Sequence, residues 1–398
     1  MELFLIQEGI IMKPFISDSV IYTGVYDNDI DLFENQYKVP DGVSYNSYVI
    51  LDEKIALMDT ADAKKTDEWL ANVDAALNGR KPDYLIISHL EPDHSGSIEA
   101  ALAKYPDMFV VLNAKSLAMF SQFFSCDISK RTLTVAEGDT LSLGIHTLKF
   151  FMAAMVHWPE VMVEYEQTEK ILFSADAFGK FGSTDFSSCE DWLDEARRYY
   201  INIVGKYGIP VQALLKKAST LDIKTICPLH GPILNENLGY YIDKYNTWSL
   251  YNPEYEGVVI AYASIHGNTA KAAVKLYEEL KKNGTDTVIY DLSRADLSEV
   301  TAAAFKYSKL VLAAATYDGG IFTCMSDLLT RLKSKSYQNR QAAIIENGSW
   351  GILAGKIITA ALAEMKNIEI TEPVITIKST MNNDNAAAIE QLAQKLSR

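Results

Sequence analysis

The segment Asp83–Ser97, DYLIISHLEPDHSGS, decides the reading of this chain. Its first half is a β-branched and aromatic run bounded by turn residues, which predicts a buried strand. The strand opens into a loop that carries His89, Glu91, Asp93 and His94, stiffened by Pro92. Alternate residues of an extended segment share a face, so His89, Glu91 and Asp93 are expected to converge. Four potential ligands in so short a span form a dense cluster.

Further candidates each close an apolar run. His157 ends HTLKFFMAAMVH, Asp176 ends ILFSAD, and His230 ends IKTICPLH. Loops that follow strands are where α/β folds commonly collect their sites. The seven side chains divide into two metal sites with a shared carboxylate. His89, Glu91 and His157 serve one; Asp93, His94 and His230 serve the other; Asp176 bridges. The absence of thiolate argues against a structural zinc site, and mixed imidazole and carboxylate donors suit Fe, Mn or Zn. One such histidine alone would more simply cap a strand; seven placed this way are not explained so. His146 has no partner in this scheme and reads as a surface residue.

Composition limits the alternatives. The 398 residues include 37 Lys plus Arg and 52 Asp plus Glu, for a net charge of −15. Such a chain has no general affinity for phosphate backbones or anionic lipid, which argues against a nucleic-acid or membrane-surface protein. With 48% apolar and 22% charged residues it is an ordinary globular sequence. No run approaches the ~20 apolar residues of a membrane span. The N-terminus, MELFLIQEGIIMKPF, has no basic region ahead of its apolar residues and does not make a signal peptide. Met12 is an alternative start, which would make residues 1–11 an extension. Cys126, Cys189, Cys227 and Cys324 are widely spaced, with no CxxC pair. That excludes a rubredoxin-like or zinc-ribbon module and suits a reducing cytoplasm.

At ~150 residues per domain the length allows two or three domains, and the pattern along the chain divides it into two. Residues 1–250 mix short strands, hairpins and helices, as in a layered α/β sandwich. The aromatic and polar stretch Tyr245–Gly257, YNTWSLYNPEYEG, reads as the boundary. Residues 257–398 hold five apolar runs, GVVIAYAS, DTVIYDL, KLVLAAAT, QAAIIEN and EPVITIKS, separated by helical stretches. Continuous apolar strands alternating with helices mean a parallel sheet covered on both faces, here of flavodoxin-like doubly wound size.

The first of these strands runs into SIHGNT and then a helix. No Lys follows the glycine, so this is not a Walker loop. Ser264, Asn268 and Thr269, with backbone N–H groups at a helix N-terminus, make a cradle of neutral donors for one phosphate. Gly267 lets the backbone come close, and His266 stands beside it. Two later loops lie at strand ends beside the switch point. One is Thr316, Tyr317, Asp318, Gly319 and Gly320. The other is Asn347, Gly348, Ser349 and Trp350. Tyr317 and Trp350 are candidates to flank a planar ring.

The pattern H-x-E-x-D-H, a His 63 positions on, an Asp 19 beyond and a His 54 further, resembles the metallo-β-lactamase fold in its flavodiiron form. The words HWPE, SADAFG and PLHG resemble that family too, and the similarity covers nearly the whole chain from about Met12. Hydrolases of the superfamily usually show H-x-H-x-D-H and bind zinc; here Glu91 stands at the second position. An anionic oxygen donor in place of imidazole suits a metal that cycles to the ferric state. The resemblance implies an N-terminal αββα domain with two Fe per chain and a C-terminal flavodoxin-like domain with FMN. It implies reduction of O2 to water, NO to N2O, or both. It also implies a head-to-tail homodimer, or a tetramer built from it, that brings one chain's FMN to the other's irons. Because the chain has no CxxC pair, an external rubredoxin-like donor is expected, with a reduced deazaflavin as the alternative. A dizinc hydrolase with an accessory flavodoxin domain, and an electron-transfer flavoprotein with an inactive metal domain, are the competing readings.

Overall fold

The computed structural model describes residues 14–183 and 189–398, and the expectation about a start at Met12 lies outside them. The chain forms two compact units. One comprises the chain through Ala196 with Ala213–Tyr241, the other Arg197–Gln212 with Ile242–Arg398. Among the described residues no helix is long and apolar enough to cross a membrane. Cys126, Cys227 and Cys324 are free thiols; the side chain of Cys189 is outside the described set.

In the first unit two sheets share one core. The larger runs in the order Val20–Tyr22, Tyr48–Ile50, Ala56–Met58, Tyr84–Ile86, Phe109–Asn113, Thr132–Val135. The smaller runs Thr140–Ser142, Thr147–Met152, Met162–Glu166, Ile171–Phe173, Thr225–Cys227. Alternate side chains of a strand point to one face. Tyr48, Ile50, Ala56 and Met58 therefore meet Leu148, Phe150, Ile171 and Phe173 in a single buried cluster. The helix Thr66–Leu77 buries Trp69, Val73 and Leu77, one side chain per turn on one face. This is the expected αββα sandwich. The sequence reading passed over the strand Phe109–Asn113 and the helix Ala114–Phe123.

Strand direction gathers the loops. Thr147–Met152 and Ile171–Phe173 are each antiparallel to Met162–Glu166 and so run the same way. Thr225–Cys227 is parallel to Ile171–Phe173. The C-terminal ends of all three, which lead to His157, Asp176 and His230, lie at one end of their sheet. Across the sandwich, the amide of Met162 donates to the carbonyl of Ser88 at 3.1 Å and ties the His89 loop to the same end.

The second unit has strand order Thr287–Asp291, Tyr255–Ala263, Tyr307–Tyr317, Arg340–Gly348, all parallel. The last position is shared by two short strands, Ile368–Ile370 and Ile375–Lys378, where one was expected. The helices Asn268–Lys282 and Asn383–Leu396 pack Leu276, Leu280, Ile389 and Leu392 onto Val258, Ile260 and Val311. The strand order reverses between Tyr255–Ala263 and Tyr307–Tyr317, which is the switch point of a flavodoxin-like sheet.

The two units divide between Tyr241 and Ile242, just before the stretch read as the boundary, and that stretch is itself structured. Leu238–Ser249 is helical, the strand resumes at Tyr255, and Tyr245 and Trp248 are buried. Their rings pack on Tyr200, within the π-helical turn Tyr200–Val204. Glu254 accepts from Trp248 Nε1 at 2.9 Å and Lys244 Nζ at 3.0 Å, and it pairs with Arg197.

Candidate functional site

The structure brings seven side chains of the first unit into two adjoining groups. His89, Glu91, His157 and Asp176 offer donor atoms that all lie within 4.8 Å of one another, as do Asp93, His94 and His230. Asp176 faces both. Its Oδ2 stands 3.3 Å from His89 Nε2 and 3.1 Å from His157 Nε2. Its Oδ1 stands 3.2 Å from His94 Nε2 and 3.7 Å from His230 Nε2. Glu91 Oε2 lies 3.2 and 3.0 Å from the same nitrogens of His89 and His157. Asp93 Oδ2 lies 3.4 and 3.2 Å from those of His94 and His230.

Local backbone produces this split differently from the expected extended loop. Pro92–Ser95 is a helical turn with Pro92 at its start. The turn rotates Asp93 away from Glu91, so His89 and Glu91 serve one group while Asp93 and His94 serve the other. The turn is anchored by Thr60, whose amide and hydroxyl donate to the His94 carbonyl at 2.9 and 2.7 Å.

The donor atoms are arranged for cations. All four carboxylate oxygens of Asp93 and Asp176 are buried with no donor in hydrogen-bonding geometry. The Nε2 atoms of His94 and His230 face each other at 3.0 Å. His230 Nδ1–H donates to the Ser44 carbonyl at 2.7 Å, which leaves its Nε2 a lone pair. His89 Nδ1–H donates to Glu160 Oε1 at 2.8 Å, with the same result. Orienting partners of this kind are the usual support of metal-binding histidines. Burial opposes charge on His157, but the close approach of Asp176 and the hydrogen bond to Glu91 prevail and raise it to about 9. Burial would likewise lift Asp176, yet its contacts with His157, His89 and His94 hold it well below the carboxylate range. The pocket thus draws positive charge, whether protons or metal ions.

Several supporting residues escaped the sequence reading. Glu160 lies beside HWP but 71 residues from His89. Asn46 donates to the carbonyls of Pro228 and Gly231 at 2.8 and 2.9 Å and brackets His230. Asp59 accepts from the amides of Ser88 and His89 at 2.8 and 3.3 Å, and burial raises it to about 6. His146 is a correction. It is buried, with Nδ1 at 2.8 Å from Asp52 Oδ2 and Nε2 at 3.2 Å from Glu169 Oε1. A glycine and an exposed isoleucine precede it, which made it look superficial.

In the second unit a cavity of about 560 Å³ opens at the switch point. Ser264, His266, Asn268 and Thr269 line it, with Thr316 through Gly319 and Asn347 through Trp350. Of the residues proposed from sequence, Gly267 and Gly320 do not line it; Leu353 and Ser379, which were not foreseen, do. Ser379 follows a strand paired with Arg340–Gly348, and its carbonyl and amide bond the Asn347 side chain at 3.2 and 3.1 Å. Gly267 is the residue before the helix Asn268–Lys282, at φ +84, and a Cβ there would meet open space. Its left-handed backbone favours glycine. That helix has no side-chain cap, and the Ser264 hydroxyl is buried without a partner. An anion with several oxygen acceptors fits both. Thr316 Oγ1 instead accepts from the amides of Leu353 and Ala354 at 2.9 and 3.1 Å, at the start of the helix Ala354–Ala363. Trp350 is 99% exposed at the rim.

A family model described as ODP family beta lactamase matches residues 43–231. The chain is 33% identical over 295 residues to an uncharacterized protein of Methanocaldococcus jannaschii, spanning 73% of this chain and 74% of that one. It is 29% identical to a nitric oxide reductase of Moorella thermoacetica, over 96% of this chain and 97% of that one. The solved structure of rubredoxin oxygen:oxidoreductase from Desulfovibrio gigas superposes with a TM-score of 0.91 at 26% identity, covering 97% and 98% of the two chains. A flavo di-iron protein variant from Thermotoga maritima gives 0.87 at 25% identity, over 97% and 98%. The chain belongs to the flavodiiron proteins. It is an oxidoreductase, and both units take part in the likeness, because the coverage spans the sandwich and the flavodoxin-like sheet alike. In this flavodiiron chain the two metal-ligand groups and the cavity stand on separate units, each assembled at the C-terminal ends of its own strands.

Proposed function

We propose that this flavodiiron protein reduces O2 to water, NO to N2O, or both, at two irons held by His89, Glu91, His157, Asp93, His94 and His230 with Asp176 between them. The observation that carries the reading is Asp176, whose two buried oxygens each face one group of imidazoles. Irons bound there would supply reducing electrons, which FMN in the second unit would replenish. The protein's part is positioning and tuning. Glu91 adds an anionic oxygen that favours the ferric state and speaks for iron over zinc. Glu160 and the Ser44 carbonyl hold His89 and His230 with Nε2 turned to the metal. Trp158, edge-on to His89 at a ring separation of 5.2 Å, walls the pocket with apolar surface. The uncapped helix at Gly267 and the Ser264 hydroxyl support the FMN phosphate, and Trp350 and Tyr317 support its ring.

The relatives' names support the rest. A rubredoxin-like protein is the proposed donor, in keeping with the rubredoxin oxygen:oxidoreductase likeness, and reduced deazaflavin is the alternative. A head-to-tail homodimer would bring FMN to iron, and the exposed Trp350 is a surface that such a contact would cover. A cytoplasmic setting suits the free thiols. The test is anaerobic purification, quantification of iron and FMN, and O2 and NO consumption with reduced rubredoxin. About two iron and one FMN per chain, with turnover of at least one gas, is expected. Two zinc per chain without gas consumption refutes the reading.

A further inference from the structure

Asn347 stands near the C-terminal end of the strand Arg340–Gly348, opposite Ile377, and the parallel ladder with Ile375–Lys378 ends one residue later. Asn347 is only 6% exposed, and its carboxamide is engaged on both sides. Oδ1 accepts from the Ser379 amide at 3.1 Å, and Nδ2 donates to the Ser379 carbonyl at 3.2 Å. A carboxamide carries the same donor and acceptor as a peptide group, so this pair adds one rung beyond the end of the ladder. The Ser379 amide also lies 3.2 Å from the Gly348 carbonyl, and its hydroxyl 2.5 Å from that of Ser349. Ser379 has φ +64, a left-handed conformation that a residue other than glycine keeps only where its surroundings hold it. Asn347, Ser349 and Ser379 all line the cavity. The clamp therefore adds a further chain segment to a wall already built from the loops of Ser264, Tyr317 and Trp350.

We propose that Asn347 is a positioning residue for the flavin ring, its carboxamide holding the backbone of Ser379 in the cavity wall so that the wall is formed before flavin binds. The proposal rests on the FMN reading given above. In that reading the phosphate lies at Ser264 and the helix that follows, while the ring lies by Tyr317 and Trp350, on the side of Asn347. A segment freed from the clamp must be ordered when flavin binds, and that ordering subtracts from affinity. Loss of two hydrogen bonds of ordinary strength sets the effect on the order of ten-fold. Because the loss falls on the ring, it should be the same with and without a phosphate on the ligand.

The experiment uses the full chain stripped of flavin, titrated with FMN and with riboflavin, read by quenching of flavin fluorescence. Asn347→Ala should weaken both ligands on the order of ten-fold. Ser379→Pro breaks the clamp from the other side, because proline has no amide hydrogen and holds φ near about −65°. It should weaken both ligands too, and the double variant should bind no worse than the weaker single one, since both changes remove one interaction. Hydrogen exchange on the flavin-free chains reads the clamp directly. The Ser379 amide should exchange on the order of ten-fold faster in Asn347→Ala, with the strand Tyr255–Ala263 protected as in wild type. Unchanged affinity in Asn347→Ala, a loss confined to FMN, additive losses in the double variant, or lost protection throughout the sheet overturns the role of Asn347. Absence of flavin binding by wild type overturns the flavin reading, and the proposal with it.

Discussion

Glu160 offers the sharpest test of how the metal centre is held. Its Oε1 accepts from His89 Nδ1–H at 2.8 Å and from the Leu90 amide at 3.1 Å, in a pocket closed to solvent. Burial would raise this carboxyl, but the His89 hydrogen bond outweighs it and holds Glu160 below the usual range. Glu160→Ala removes the acceptor and strands two buried donors. Each stranded donor costs about 1–3 kcal/mol, so the metal-free protein loses ~2–6 kcal/mol, less if water enters. His89 also loses the contact that fixes its tautomer, which typically weakens metal binding ~10- to 100-fold. Glu160→Gln keeps an acceptor but not its charge and should sit near ~10-fold. The loss should be selective. His230 is oriented independently by Ser44, on the other side of the site. Chelator competition on anaerobically loaded protein should therefore show one iron leaving early and one retained, with thermal unfolding of the metal-free variants as the stability control. Wild-type affinity for both irons in Glu160→Ala, or equal loss of both, would refute this account.

Three further outcomes follow from the same geometry. His146 is raised above its ordinary value because hydrogen bonds to Asp52 and Glu169 outweigh burial. Its stabilising contribution is full below about pH 6.5 and fades as pH climbs through the raised value; His146→Gln should cost ~1–3 kcal/mol at pH 6, and melting curves across pH should show the gap closing in alkali. Gly231 has φ +79, and a Cβ there would stand 2.7 Å from Lys180 Cγ and 3.2 Å from the Lys180 amide nitrogen. Gly231→Ala should lose about 1–2 kcal/mol or more and weaken the iron bound near His230, measured by denaturant unfolding and iron content; unchanged values would show that the loop relaxes freely. Glu91→His supplies a third imidazole to His89 and His157 and should shift the metal from iron toward zinc with loss of gas reduction. Metal analysis decides it, and an active iron-loaded variant would show that the carboxylate is not what selects the redox metal.

The candidate ligands were legible because they stand at the ends of apolar runs or in the loop just beyond one, and runs report burial and strand ends locally. The doubly wound second unit was legible for the same reason, since five apolar strands alternating with helices admit few arrangements. His146 was misread because burial of a polar residue depends on partners distant in the chain. The sequence reading took this loop as extended, whereas Pro92 starts a helical turn over Pro92–Ser95.

The sequence by itself determined the chemistry available: four imidazoles and three carboxylates without thiolate at strand ends, and a neutral cradle before a helix. Only the tertiary structure decided how those groups divide and which way they face. Asp176 meets two groups with two different oxygens, and His230 takes its tautomer from a carbonyl 186 residues away. Hydrophobic pattern acts on neighbours in the chain, whereas a hydrogen bond constrains atoms that are adjacent only after two sheets have closed on one core.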